Sequence, residues 1–363
     1  MTASVDRGLE ARPGAAPTRI GAAAAQRGAA VIGIDVGGTK TSILVADSGD
    51  EVLWRRVVDT GTADIGAQLA TLARSAVDVA SAAGRDVAAV GVAAPGLVES
   101  ASGVVRLAVN LDPDEMALAP TLAGALGVPC FVEHDTRAAA AWLHVSGRSA
   151  SSNFAFLSVG TGISAGLVLD GRLHRGATGL AGEVGHIEAD RDGGVCACGL
   201  RGCLETVASG PAIASRASAA GRSWSPAEVF GAASDGDPVA GGIAAVVGAH
   251  LGRAVRALVL AYGVDRVVLG GGVSRAGQPF LEPILAHLER ERAASALVRQ
   301  ALGPATVRLL PADVDAGGWG AVTVARMGLA ATEGDPESAT QRPPGRRVAR
   351  ATRVAVGKEG RDQ

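Results

Sequence analysis

Aromatic residues are nearly missing from this chain: five Phe, four Trp and one Tyr make up 3% of 363 residues. With 48% apolar residues overall, the core must be built from Ala, Val and Leu. An excess of charge of either sign is also lacking. The formal net charge of -2 gives the molecule no electrostatic bias toward nucleic acid or membrane surfaces. No apolar run reaches the roughly 18 residues that would span a bilayer. The N-terminus lacks the compact apolar segment of a signal peptide, and Asp6 and Glu10 are out of place in a transit peptide. A cytoplasmic protein is expected. Cysteine is scarce, four in all, and in a reducing compartment clustered thiols read as metal ligands rather than disulfides.

Glycine is plentiful. Its 51 residues, with Ala-rich helical stretches between them, point to a globular α/β protein with many tight turns. The length suits two domains. Residues 1–29 are Ala, Gly, Arg and Pro without apolar periodicity and read as a disordered extension. Residues 333–363 read as a disordered tail that is basic from Arg342 onward, and a solvated tail is expected rather than a nucleic-acid contact.

The body alternates strands and helices. AAVIGIDV, a Gly-Gly turn and TKTSILVAD read as a β-hairpin over 29–47, with EVLWRRVVD as a third strand. IGAQLATLARSAVDVASAAG has helical spacing, and VAAVGVAAPG is a strand that ends in a Pro-Gly turn at Gly96. PCFVEHD and TRAAAAWLHVSG follow as strand and helix. NFAFLSVGTGISAGLVLDG then repeats the opening pattern of strand, glycine turn, strand. A long helix near 238–262 precedes DRVVLGGGVS, a strand that runs into three glycines. Two α/β halves therefore begin alike.

Each glycine turn has two readings. Asp35 ends a buried strand, and Gly37 and Gly38 after it either form a plain type I′ hairpin or bring bare backbone to a phosphate. In the second reading Asp35 directs a hydrated magnesium ion. Gly160, Thr161 and Gly162 form the second turn, and Gly270, Gly271 and Gly272 the third, where a nucleotide could lie on bare backbone. Neither a Walker A loop nor a Rossmann fingerprint occurs at these places. Between the turns, Asp135 in VEHDTRAAAAWLH sits where a strand gives way to a helix. It is either an N-cap or a general base that takes a proton from an attacking hydroxyl.

Three of the four cysteines fall within eight positions. His186, Cys196, Cys198 and Cys203 make an H-x9-C-x-C-x4-C set, the composition of a closed, structural zinc site. Gly199 and Gly202 let the loop fold tightly enough for three thiolates to meet, and Glu205 lies two residues beyond the last ligand.

In order and spacing, GIDVGGTKTSILVAD, GVAAPGLVE, VEHDTRA, GEVGHIEADRDGGVCACGLRGCLE and VVLGGGVS resemble the ROK family of sugar kinases and sugar-responsive repressors. The resemblance covers about residues 30–330 and is most specific in the E-x-x-H-x9-C-x-C-x4-C-x-E segment. It implies a two-domain actin/hexokinase-like (ribonuclease H-like) α/β fold, with ATP in the cleft and an inserted zinc loop over 183–205. The small domain would take 30–142 with helix 317–332 returning to it, and the large domain 143–316. A homodimer is implied as well. The implied activity is transfer of the γ-phosphoryl group of ATP to a hydroxyl of a hexose or hexose-like substrate. Asp135 would be the base, and Gly96, Asn110, His134, Glu183, His186 and Glu205 the sugar contacts. His186 would serve zinc and sugar through its two ring nitrogens. Asp35, Gly37, Gly38, Thr39, Lys40, Gly160, Thr161, Gly162, Gly271 and Gly272 would hold ATP and magnesium.

The chain departs from the family pattern at three positions. Family kinases read E-N-D-x-N where this chain reads EHDTR, so His134 and Arg137 replace two asparagines. The Trp that often follows the Asn-Leu pair is missing after Asn110 and Leu111. Glucose itself is then in question, and an amino sugar or cyclitol becomes a candidate. The alternative activity is a sugar-binding regulator without kinase chemistry. Such regulators carry a helix-turn-helix domain ahead of the DVGGT strand, for which 29 unpatterned residues leave little room.

Overall fold

A computed structural model describes residues 28–61, 64–106 and 115–332. Residues 1–27, the tail from 333 and Asn110 lie outside the described residues.

The first half opens with β1 (Ala29–Val36), β2 (Lys40–Asp47) and β3 (Val52–Asp59), followed by α1 (Ile65–Ala82) and β4 (Asp86–Ala94). A small meander of β5 (Leu97–Glu99), β6 (Val104–Arg106) and β7 (Glu115–Met116) leads to α2 (Leu118–Leu126), β8 (Cys130–His134) and α3 (Asp135–Val145). The main sheet has the order β3-β2-β1-β4-β8, antiparallel across the opening hairpin and parallel beyond it. Residues 30–34 of β1 are all buried, as expected for a strand covered on both faces.

The second half repeats this plan. It runs β9 (Phe154–Val159), β10 (Ile163–Leu169) and β11 (Arg172–His174), then α4 (Glu205–Ala208), α5 (Gly210–Ala219), α6 (Pro226–Ser234) and α7 (Pro238–Tyr262). After β12 (Arg266–Gly270) come α8 (Gln278–Ala294), α9 (Ala296–Ala301), β13 (Val307–Leu309) and α10 (Ala316–Thr332). Its sheet, β11-β10-β9-β12-β13, has the same order and the same switch from antiparallel to parallel. The echo heard in the sequence is thus an echo of topology.

Two helices join the halves. α3 leaves the first sheet but lays Ala139, Ala140 and Leu143 against Phe154, Phe156 and Val168 of the second. α10 leaves the second sheet and packs Val322 and Ala325 on Val31, Leu44 and Ala89 of the first. Close approach is what fixes the glycines there. A Cβ on Gly91 would stand 2.0 Å from the Ala321 carbonyl oxygen, and one on Gly166 2.1 Å from that of Thr136. Any side chain would push a helix off its sheet.

The expectation of no membrane-length apolar run needs correcting. α7, with 25 residues and an 18-residue stretch of mean hydropathy 1.6, is long and apolar enough to cross a bilayer. Its Ile243, Val247, Leu251, Val255 and Leu258 recur at helical spacing and are buried in the core of the second half. This face is spent on packing.

Candidate functional site

The parallel strands β1, β4 and β8 end side by side, and so do β9 and β12. Ligands of open α/β sheets bind beyond such carboxyl ends. Asp35 is paired with Ala93 and Ala94 with His134, so Asp35, Gly96 and Asp135 all leave one edge of the first sheet. Gly96 turns the chain there with φ 97°. A cleft of about 200 Å³ lies at this edge. Asp35, Asp135, Ser158, Gly271, Gly272 and Asp315 line it, and Arg275 is its lining cation among the described residues. A larger hollow of about 380 Å³, between α8 and β13, contains none of the candidate residues.

The glycine turns are shaped by contact rather than by a hairpin type. A type I′ turn needs positive φ at both central residues, yet neither Gly37 nor Gly38 has it. The plain type I′ reading is therefore overturned. The turn runs over four residues between the paired Val36 and Thr41. A Cβ on Gly37 would fall 2.8 Å from the Lys40 carbonyl oxygen. Thr39 and Lys40 are exposed at its far side. Gly160, Thr161 and Gly162 fill the corresponding turn between Val159 and Ile163. Gly271 is the true conformational glycine, with φ 90° and a Cβ position 2.5 Å from the Val159 carbonyl oxygen. The end of β12 thereby lies directly on β9.

Three carboxylates crowd this cleft. Burial first, then the charges of Asp135 and Asp315, raise Asp35 from 3.8 to about 7. A divalent cation held by Asp35 would reverse that logic. Asp315 was invisible in the sequence as a cleft residue. It caps α10: its Oδ1 accepts from the Gly318 N–H at 3.0 Å, while Oδ2 faces Arg55 at 3.1 Å.

The raised value carries a stability prediction. The native state holds the Asp35 proton more tightly than the unfolded chain. That contribution is complete below pH 3.8 and is lost as pH rises to about 7. In magnesium-free buffer at pH 8, Asp35→Asn should melt above the wild type, and the gain should shrink toward pH 4. Equal melting temperatures across that range would show that the crowding has no energetic consequence.

Asp135 is not the N-cap. That position belongs to His134, which makes no side-chain capping bond, and Asp135 is the first helical residue. Its Oδ1 accepts from the Thr136 N–H at 2.6 Å. His134 is 5% exposed. Its Nδ1 stands 2.8 Å from Thr136 Oγ1 and 3.1 Å from Asp135 Oδ1, and its Nε2 3.5 Å from Glu183 Oε1. The imidazole thus lies between the Asp135 and Glu183 carboxylates.

Glu133 and Arg137, which flank this pair, are both 1% exposed. Arg137 Nε donates to Glu133 Oε1 at 2.7 Å and Arg175 Nε to Oε2 at 2.5 Å. Burial alone would raise the Glu133 carboxyl, but Arg175 and Arg137 outweigh it and hold it at about 2. Sequence reading missed Glu133 and Arg175, whose partnership spans 42 residues.

Glu183 precedes a 3-10 turn, Val184–His186, and Glu205 opens α4. Glu205 Oε2 accepts from the Ile163 N–H at 2.9 Å, which binds the end of the cysteine loop to the turn at Gly160–Gly162. His186 Nδ1 faces the thiols, 3.6 Å from Cys196 Sγ, and Cys198 Sγ is 3.6 Å from Cys203 Sγ. All four candidate ligand atoms lie within 4.8 Å of one another. With Zn–S near 2.3 Å and Zn–N near 2.0 Å, tetrahedral edges are about 3.8 Å for S···S and about 3.5 Å for N···S. The donor set fits such an ion. Burial, then the Cys198 thiol, pushes Cys203 up to about 12, an arrangement that bound metal would relieve. Gly199 and Gly202 adopt φ 89° and 74°, as the tight loop requires.

These features meet a known pattern. The profile of the ROK family matches residues 31–326. A glucokinase from Halalkalibacterium halodurans is 32% identical over 313 residues, 79% of this chain and 93% of the relative. Among solved structures, a ROK family glucokinase from Streptomyces griseus in complex with glucose and AMPPNP superposes with a TM-score of 0.70 at 30% identity. That match covers 82% of this chain and 99% of the other. A ROK family transcriptional regulator superposes with a TM-score of 0.73 at 28% identity, over 84% of this chain and 79% of its own. With family profile, relatives and architecture in agreement over the same stretch, the chain belongs to the ROK family.

Proposed function

We propose that this protein is an ATP-dependent kinase that phosphorylates a hydroxyl of a hexose or hexose-like substrate, with Asp135 as the general base. The observation that carries the reading is the position of Asp135. It lines one cleft with Asp35 and the bare backbone of Gly271 and Gly272, and it adjoins His134, which reaches Glu183. Its Oδ1 takes the Thr136 N–H and faces His134, and its second oxygen is the one offered to a hydroxyl.

In this reading Glu183, His134, Glu205 and the Nε2 of His186 accept from or donate to the sugar hydroxyls. Asp135 orients the reactive hydroxyl and takes its proton as the sugar oxygen bonds to the γ-phosphorus and the bond to the β-phosphate oxygen breaks. The turns at Gly37–Gly38, Gly160–Gly162 and Gly271–Gly272 offer backbone to the nucleotide. Asp35 would hold hydrated magnesium, which would neutralise phosphate charge. His186, Cys196, Cys198 and Cys203 would hold zinc as a structural ion, with no position left for a reacting water. Cytoplasmic residence suits this use of thiols.

The second reading is a ROK regulator that binds sugar without turning it over, supported by the fit to the solved regulator. A screen of hexoses, amino sugars and cyclitols by coupled ADP release separates the two. Turnover of at least one sugar is expected. His134→Asn, which restores the family residue, should shift preference toward glucose with little loss of kcat. ADP release unresponsive to every sugar would favour the regulator, and an unchanged preference would remove His134 from specificity.

A further inference from the structure

We propose that Arg137 is a positioning residue for the sugar end of the cleft: its guanidinium fastens segment 175–182 to the corner between β8 and α3, and so sets where Glu183 stands. The inference rests on the kinase reading above for its meaning, though not for its test. Segment 175–182 leaves β11 as a loop in which Gly176, Ala177, Thr178 and Leu180 are exposed. Such a loop ordinarily carries little order of its own. Here it is fixed at three places.

At its end, the Gly182 carbonyl accepts from the Ala165 N–H at 2.7 Å, and a Cβ on Gly182 would stand 1.8 Å from the Ala165 oxygen. At its start, Arg175 donates to Glu133. In its middle, the Gly179 carbonyl accepts from Arg137 Nη1 at 2.6 Å. Arg137 thus uses two arms of its fork, Nε on Glu133 and Nη1 on Gly179. Glu133 is one residue before His134 and also accepts from the His134 N–H at 2.9 Å. One buried cluster therefore holds both sides of the His134–Glu183 contact: the backbone that carries His134 and the loop that leads to Glu183.

A planar, rigid fork can span two acceptors in this way, whereas an ammonium presents its donors at one point. Arg137→Lys keeps a positive charge opposite Glu133 and removes the arm to Gly179. Arg137→Gln removes the charge as well and leaves Glu133 paired with Arg175, in case a buried lysine impairs folding.

The test uses the full chain. Amide hydrogen exchange of 176–184 should speed up roughly tenfold or more in the variants, while β1 and β2 keep wild-type protection. The KM for glucose, or for whichever sugar the wild type turns over fastest, should rise roughly ten- to a hundredfold. The KM for ATP should stay within about twofold, because the nucleotide end of the cleft does not depend on the cluster. Unchanged exchange in 176–184 would overturn the proposal, as would equal losses of sugar and ATP affinity. If the wild type turns over no sugar, the kinase reading is what fails, and the exchange experiment still decides the tie.

Discussion

Asp135→Asn should lower turnover by roughly 10²- to 10⁴-fold, the usual contribution of a positioned acid–base group, while the protein stays folded. Asparagine keeps the shape and can still accept from the Thr136 N–H, but it cannot take a proton from a hydroxyl. The structural penalty is small. The residue is not a cap, so what is lost is a first-turn charge at a helix N-terminus, worth about 0.3–1 kcal/mol, together with its contact to His134. Steady-state kinetics should show the loss in kcat, with both KM values little changed. Near wild-type kcat in a variant that melts normally would return Asp135 to a structural role.

Cys203→Ser should remove zinc and a large part of the stability of the second half. The loop from 187 to 204 has little core of its own: Ile187, Val195 and Leu200 are more than half exposed, and what lies inside is Cys196, Cys203 and Leu204. Backbone hydrogen bonds and two isolated bridges hold it, and bound zinc would add the strongest internal tie. Apparent binding energies of structural zinc run to about 10–16 kcal/mol in small domains, against a total stability of about 5–15 kcal/mol. The loss reaches the site directly, since Glu205 ties the loop to the turn at Gly160–Gly162. Elemental analysis should find one zinc per wild-type chain and none in Cys203→Ser, whose melting temperature should drop sharply. A metal-free wild type that is folded and active would refute the zinc assignment.

Much of this site could be read from sequence because its parts are local. Cys196, Cys198 and Cys203 are near neighbours, and a loop of eight residues can bring three thiols together with little help. The strand–glycine–strand units likewise announce themselves within 20 residues, and both reappear as sheets of identical order. What escaped was non-local. Glu133 looked like any strand residue, and Arg137 stood out only as a departure from the family asparagine, until Arg175 and Gly179 arrived from 42 positions away. Asp315 carried no signal in the sequence, and it caps the helix, α10, that packs on the first sheet beside Asp35. Of the two readings of the first glycine turn, the type I′ one failed for a different reason. Gly37 and Gly38 are consistent with that turn by composition, but close contact with Lys40 rather than positive φ is what the backbone demands.

In the proposed reaction a phosphoryl group passes from ATP to a sugar hydroxyl across this cleft. The most direct measurement is phosphorus NMR of wild type and Asp135→Asn, each incubated with magnesium, ATP and the sugar selected by the ADP-release screen. Wild type should give a new phosphate monoester resonance that grows in step with ADP, and the variant one slower by roughly 10²- to 10⁴-fold. Inorganic phosphate alone, or a sugar that binds without any ester signal, would contradict it.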